Sequence, residues 1–101
     1  MKKLQEFAKA ESKRLREIIE CTDKEFALFN AIKLGEEVGE VNNEILKHFK
    51  AGRKNKLKQE QNLESELADV MIVLSIIAED MNINLEKAIE EKIKIIEERY
   101  N

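Results

Sequence analysis

Proline is absent from the 101 residues of the chain, and glycine occurs only three times. Residues that interrupt helices are therefore scarce, whereas the helix formers Glu, Lys and Leu are abundant. This composition predicts an all-α protein. The length suits a single domain over residues 1–101. Its core should be of modest size, because a short chain leaves much of its surface unburied.

Other absences narrow the class of protein. Cys21 is the only cysteine, which excludes an intrachain disulfide and argues against a zinc–thiolate cluster. The N-terminus has no apolar signal-peptide core, and the longest apolar stretch, around residues 70–78, is too short to span a bilayer. No basic block dominates the formal net charge of −3. We therefore expect a cytoplasmic protein that binds neither membrane nor nucleic acid.

The pattern of apolar residues predicts four helices. Between Val70 and Ala78 the third helix is apolar on nearly all sides, so it should be buried all round. Only a short turn separates it from the fourth helix, so these two should be antiparallel neighbours. One small chain can hardly enclose one of its own helices. We therefore predict a four-helix bundle-like protomer that assembles as a homodimer or homotetramer. The expected helical spans are about 2–20, 23–49, 63–81 and 85–100.

Helix caps and one polar stretch divide the chain. Thr22 or Asp23 is expected to cap the second helix, Asn62 the third and Asn84 the fourth. Residues 50–62 are polar and predict a loop. This loop is either a solvated connector or a basic flap over an anionic ligand.

The second and third helices each carry two acidic residues three positions apart. Glu37 and Glu40 lie at the edge of one apolar stripe, and Glu66 and Asp69 lie inside another apolar face. Buried carboxylates need cations, hydrogen-bond donors or protons. If the two faces meet, the carboxylates converge, and Mg²⁺ is their natural counter-ion, with Mn²⁺ as the alternative. Because Mg²⁺ also binds phosphates, the pattern points to a nucleotide-like substrate.

A base pocket needs a flat stacking surface and an amide. Asn30 shares the helical arc of Glu37 and is therefore a candidate for contact with substrate. Phe7, Phe26 and Phe29 are candidates for stacking on a base. The alternative for each phenylalanine is a place in the core.

The segment "EEVGE" (36–40), followed after 25 residues by "ELAD" (66–69), resembles the EExxE…ExxD signature of the MazG-like, all-α NTP pyrophosphatases. The wider resemblance covers about residues 31–100. It implies an all-α bundle that forms a dimer or a dimer of dimers. It also implies Mg²⁺-dependent cleavage of a nucleoside triphosphate between the α- and β-phosphates, with a role in cleansing the nucleotide pool.

The resemblance assigns roles to individual residues. Glu37, Glu40, Glu66 and Asp69 match the metal ligands of the family, and Glu36 matches the leading residue of the motif. Either Glu37 or Glu40 would orient or deprotonate the attacking water.

The last helix resembles a Lys…Asn…Arg stripe that contacts phosphate in the family. Lys92 and Arg99 match its ends and lie on nearly one face. Ile96 stands where the family often has Asn, so the two cations could equally be ordinary surface charges.

Two other functions remain open. One is a phosphoribosyl-ATP pyrophosphohydrolase, whose fold and acidic motifs are similar. The other is a helical dimerisation module without catalysis, which would point its carboxylates to solvent and bind no metal.

Overall fold

The computed structural model describes residues 1–50 and 56–100, and there the chain is all-α, as predicted, with no strand. None of the helices in these two ranges is both long enough and apolar enough to cross a membrane. The four helices are α1 (Lys2–Ile18), α2 (Asp23–Lys50), α3 (Lys56–Asp80) and α4 (Leu85–Glu98).

The starts of α2 and α4 are determined by side-chain caps. The backbone N–H of Glu25 donates to Oγ1 of Thr22 at 3.1 Å, and the Thr22 N–H donates back to Oε1 of Glu25 at 2.9 Å. This reciprocal pair is a capping box, and it selects Thr22 from the two predicted caps. Asn84 caps α4 as predicted, since its Oδ1 accepts a hydrogen bond from the Lys87 N–H at 3.0 Å.

The third helix begins earlier than predicted. It starts at Lys56, so Asn62 lies within the helix and does not cap it. The prediction of a loop is wrong for residues 56–62, because this segment lacks Gly and Pro and consists mainly of strong helix formers, although it has no apolar stripe. Residues 51–55 lie outside the described residues, and the choice between connector and flap stays untested.

The packed part of the protomer is centred on α3, which contacts α2 extensively and α1 to a lesser degree. Ser75 interrupts the apolar surface of α3, and its hydroxyl donates to the Met71 carbonyl at 2.8 Å. This bond within the helix satisfies a buried polar group. Among the residues whose side chains the structure describes, the buried apolar ones are Ala8, Phe26, Val73, Ile76 and Ala78.

Arg16 connects the three packed helices at one end. Its guanidinium donates to Asp80 of α3 at 2.7 Å and to Asp23 of α2 at 2.5 Å. It also lies 4.4 Å from the ring centroid of Phe26, the largest fully buried side chain. Such charge-assisted and cation–π contacts fix the relative positions of the helices.

The link from α3 to α4 is a Schellman ending. Asn82 has φ of 57°, the Ile83 N–H donates to the Ala78 carbonyl at 2.8 Å, and the Asn82 N–H donates to the Glu79 carbonyl at 3.3 Å. Asn tolerates this left-handed conformation better than most residues. The chain then passes through extended backbone at Asn84 before α4 begins.

The turn directs α4 away from α3. α4 makes only marginal contact with the other helices, and none of its residues is buried. The prediction that α3 and α4 are antiparallel neighbours is therefore wrong. The radius of gyration is 16.5 Å, whereas a compact chain of 100 residues has about 13 Å. Nor is α3 buried all round within the protomer, because Met71 is exposed.

Candidate metal centre

Three of the four predicted carboxylates come together where α2 faces α3. One oxygen from each of Glu37, Glu40 and Glu66 lies within 4.8 Å of the other two. Glu37 and Glu40 project from the same side of α2 because they are three residues apart, and Glu66 comes from α3. We call these three residues the carboxylate cluster.

The three glutamates of the cluster differ in how far their side chains are exposed to solvent. Glu37 is only 6% exposed, Glu66 is half-buried and Glu40 is exposed. Oε2 of Glu37 and Oε2 of Glu66 are both buried without a hydrogen-bond partner. Buried oxygens of this kind are costly unless a cation or a donor compensates them. The residues present therefore fit a hard divalent cation, which prefers oxygen ligands and is approached here from the Glu40 side.

The pKa of Glu66 reflects the electrostatic environment of the cluster. A hydrogen bond shared with Glu40, burial, and the negative charges of Glu40, Asp69 and Glu37 raise the pKa of Glu66 to about 7. Without a cation, a proton on Glu66 relieves the repulsion among the carboxylates near neutral pH. Proton and cation therefore compete for this position.

Lys33 is the residue of the site that sequence reasoning missed. Its Nζ lies 3.2 Å from Oε1 of Glu37, one helical turn away. Glu37 accordingly raises the pKa of the Lys33 ammonium. The i, i+4 spacing from Glu37 was the available signal. Lys33 neutralises one oxygen of Glu37, and the other, Oε2, is buried without a hydrogen-bond partner.

Asp69 lies beside the cluster and is not one of the three converging carboxylates. It lines a cavity of about 320 Å³ between α1, α2 and α3, to which Glu37 also contributes. Its charge reaches Glu66 and helps to raise the pKa of that carboxyl group. Asp69 is thus placed at the border between the cluster and the cavity.

The aromatic candidates separate into three environments. Phe26 is fully buried, in agreement with a place in the core. Phe7 and Phe29 are 48% and 41% exposed, so the alternative of a core position is wrong for both within this protomer. Only Phe29 lines the cavity, together with Asn30, which is 3% exposed.

Two further acidic residues flank the cluster along α2. Glu36, the leading residue of the motif, is exposed. Glu44 is buried, with Oε1 at 3.3 Å from Lys47 Nζ and Oε2 without a hydrogen-bond partner. Glu44 is one turn beyond Glu40, and it is not among the carboxylates that converge.

The two cations predicted to contact phosphate are not brought to the cluster by this protomer. Lys92 lies on α4 and Arg99 at its C-cap, and both are exposed. The cavity beside the cluster is lined by residues of α1, α2 and α3. The role of Lys92 and Arg99 in substrate binding stays a prediction.

An all-α fold with carboxylates that converge between two helices is typical of helical metal-binding proteins. The model of the MazG nucleotide pyrophosphohydrolase domain matches residues 29–101, and the chain belongs to this family. No curated protein and no solved structure gave a significant match. Family membership supports nucleotide pyrophosphohydrolase activity in general and, with the carboxylate cluster, dependence on a divalent metal.

Proposed function

We propose that the protein hydrolyses a nucleoside or deoxynucleoside triphosphate between the α- and β-phosphates, giving the monophosphate and pyrophosphate. The observation that carries this proposal is the convergence of Glu37, Glu40 and Glu66, with two buried oxygens lacking partners. Mg²⁺ is the proposed metal and Mn²⁺ the alternative, since both accept carboxylate oxygens.

We assign roles to the acidic residues according to their exposure. Glu37 and Glu66 would hold the metal from the buried side, and Asp69 would complete the set from the edge of the cavity. When bound, the metal neutralises the phosphates and polarises the α-phosphorus. Glu40 is the exposed member, so water reaches the cluster on its side. We assign the orientation of the attacking water to Glu40 in preference to Glu37, whose Oε1 is already paired with Lys33.

The decisive experiment measures Mg²⁺-dependent release of pyrophosphate from a panel of dNTPs, NTPs and phosphoribosyl-ATP. The double variant Glu37→Gln, Glu66→Gln should lose activity at least 100-fold, because it removes two proposed ligands. Glu64→Gln is the matched control, since Glu64 is an exposed glutamate on α3, and it should keep wild-type activity. If the wild type releases no more pyrophosphate than the double variant from any substrate, catalysis at the cluster is rejected. A helical dimerisation module is then favoured. A preference for phosphoribosyl-ATP would identify the rival enzyme, whereas broad or modified dNTP cleavage would support a role in cleansing the nucleotide pool.

We also propose that the working form is a homo-oligomer. The protomer exposes 8053 Å², compared with about 5,900 Å² expected for a compact chain of its mass. Ile89, Ile93 and Ile96 form an apolar stripe on α4 and are all exposed. A partner subunit would cover this stripe. The same contact could place Lys92 and Arg99, which also belong to this end of the chain, beside a substrate. Sedimentation of the wild type and of Ile93→Asp tests this, since the variant should dissociate.

A further inference from the structure

The cavity beside the cluster has the size and lining of a site for one small heterocycle. Its volume is about 320 Å³, at the lower end of the range of about 300–1,000 Å³ for ligand pockets. Leu15, Ile72, Val73 and Ile76 supply apolar walls, and Phe29 supplies an aromatic ring. Glu37 is shared with the carboxylate cluster, so a ligand whose phosphates reach the cluster can place its base in the cavity.

Two polar atoms of residues in this lining, Glu37 Oε2 and Asn30 Nδ2, are buried without a hydrogen-bond partner, and Nδ2 is the donor of the two. Asn30 is 3% exposed, and its Nδ2 is buried without a hydrogen-bond acceptor. A buried amide donor left unpaired destabilises the fold. Glu37 and Asp69 also line the cavity, but neither accepts a hydrogen bond from Nδ2. The unpaired Nδ2 therefore points to an acceptor on a ligand.

We propose that Asn30 determines base specificity by donating a hydrogen bond from Nδ2 to a carbonyl oxygen of the base. Resting on the proposed function, this inference names the substrate class. It comprises nucleoside triphosphates whose base presents a carbonyl beside a ring N–H, as uracil, thymine, guanine and hypoxanthine do. The amide of Asn30 matches this edge, with Nδ2 as donor and Oδ1 as acceptor. A base with an amino group in place of the carbonyl would bring an N–H donor against Nδ2 of Asn30, which is also a donor.

The test uses two matched pairs of substrates that differ in this edge, dUTP against dCTP and dITP against dATP. In the wild type, kcat/KM should be about tenfold higher for the carbonyl member of each pair, as expected when one buried donor is left unpaired. Asn30→Asp replaces the donor by an acceptor, so each base makes one matched and one mismatched contact, and each ratio should approach one. Asn30→Leu removes both functions, so each ratio should approach one.

Controls separate recognition from folding. Asn42→Asp is the same substitution on the exposed surface of α2, and both ratios should stay at their wild-type values. Phe29→Leu should raise KM for all four substrates alike without changing the ratios. Because ratios are compared within one variant, a general loss of folded protein does not move them.

The outcomes distinguish this inference from the proposed function. Pyrophosphate release with both ratios unchanged in Asn30→Asp and Asn30→Leu would overturn the role of Asn30 and leave the proposed function intact. Absence of release from every triphosphate would overturn the proposed function. Calorimetric binding of α,β-imido-dUTP and α,β-imido-dCTP tests the inference without turnover. Tighter binding of the dUTP analogue by the wild type, lost in Asn30→Leu, would support it, and equal binding would overturn it.

Discussion

Replacing Glu37 by Gln should distinguish two effects of this residue: the destabilising repulsion within the carboxylate cluster and its contribution to metal binding. The substitution removes a buried negative charge that lies within 4.8 Å of Glu40 and Glu66. Two carboxylates at 4.8 Å repel each other by about 3 kcal/mol at an effective dielectric of about 20. The lost pair with Lys33, which is half exposed, offsets about 1 kcal/mol or less. The metal-free variant should therefore melt several degrees above the metal-free wild type.

Mg²⁺ should reverse this order. A ligand that binds only the folded state adds about 1.4 kcal/mol of stability for each tenfold increase in concentration above its Kd. For a domain of this size, that corresponds to a Tm increase of about 5–11 °C per decade of Mg²⁺. The wild type should show this slope. Glu37→Gln should show almost none, because it lacks a ligand from the buried side of the cluster.

Differential scanning fluorimetry at constant protein concentration and ionic strength is sufficient for this measurement. Glu64→Gln is the control and should keep the wild-type slope. A wild-type Tm that does not respond to Mg²⁺ or Mn²⁺ up to 20 mM would refute the reasoning, and so would an undiminished slope in Glu37→Gln. A metal-free Glu37→Gln protein that melts well below the wild type would show that repulsion in the cluster is smaller than its pairing with Lys33.

Three further predictions concern single positions. Because the pKa of Glu66 is raised from 4.5 to about 7, its contribution to metal-free stability is complete below pH 4.5 and is lost as the pH rises through 7. The Tm of the wild type relative to Glu66→Gln should fall over this window, and a constant difference between pH 4 and 8 would contradict it. Thr22→Ala removes one half of the capping box and should cost about 1 kcal/mol in urea denaturation, whereas Thr22→Ser should cost little. Gly35→Ala should stabilise the protein by about 0.5–1 kcal/mol, because nothing lies within 4 Å of the added Cβ; a loss of stability would mean that a partner subunit packs against this position.

The helical content and most helix ends follow from local sequence. Thr22 and Asn84 were predictable caps because capping depends on residues within one turn. The start of α3 was predicted too late, since a polar stretch without an apolar stripe resembles a loop. Helix propensity extended the helix through residues 56–62.

Three of the four carboxylates proposed from the sequence converge in the structure, but their geometry was not predictable. Helical periodicity placed Glu37 and Glu40 on one face, and Glu66 and Asp69 on another. Only the packing of α2 on α3 decides that Glu66 reaches the other two glutamates and that Asp69 stands at the edge. The ion pair of Lys33 with Glu37 follows from their i, i+4 spacing alone.

By itself, the sequence determined the four helices, the caps of two of them and the set of acidic residues that could bind a metal. These properties depend on neighbours within one or two helical turns. Only the tertiary structure decided the direction of α4, the burial of the Asn30 amide and the three-carboxylate convergence. These depend on interhelical angles and distances, which arise from packing between residues far apart in the chain.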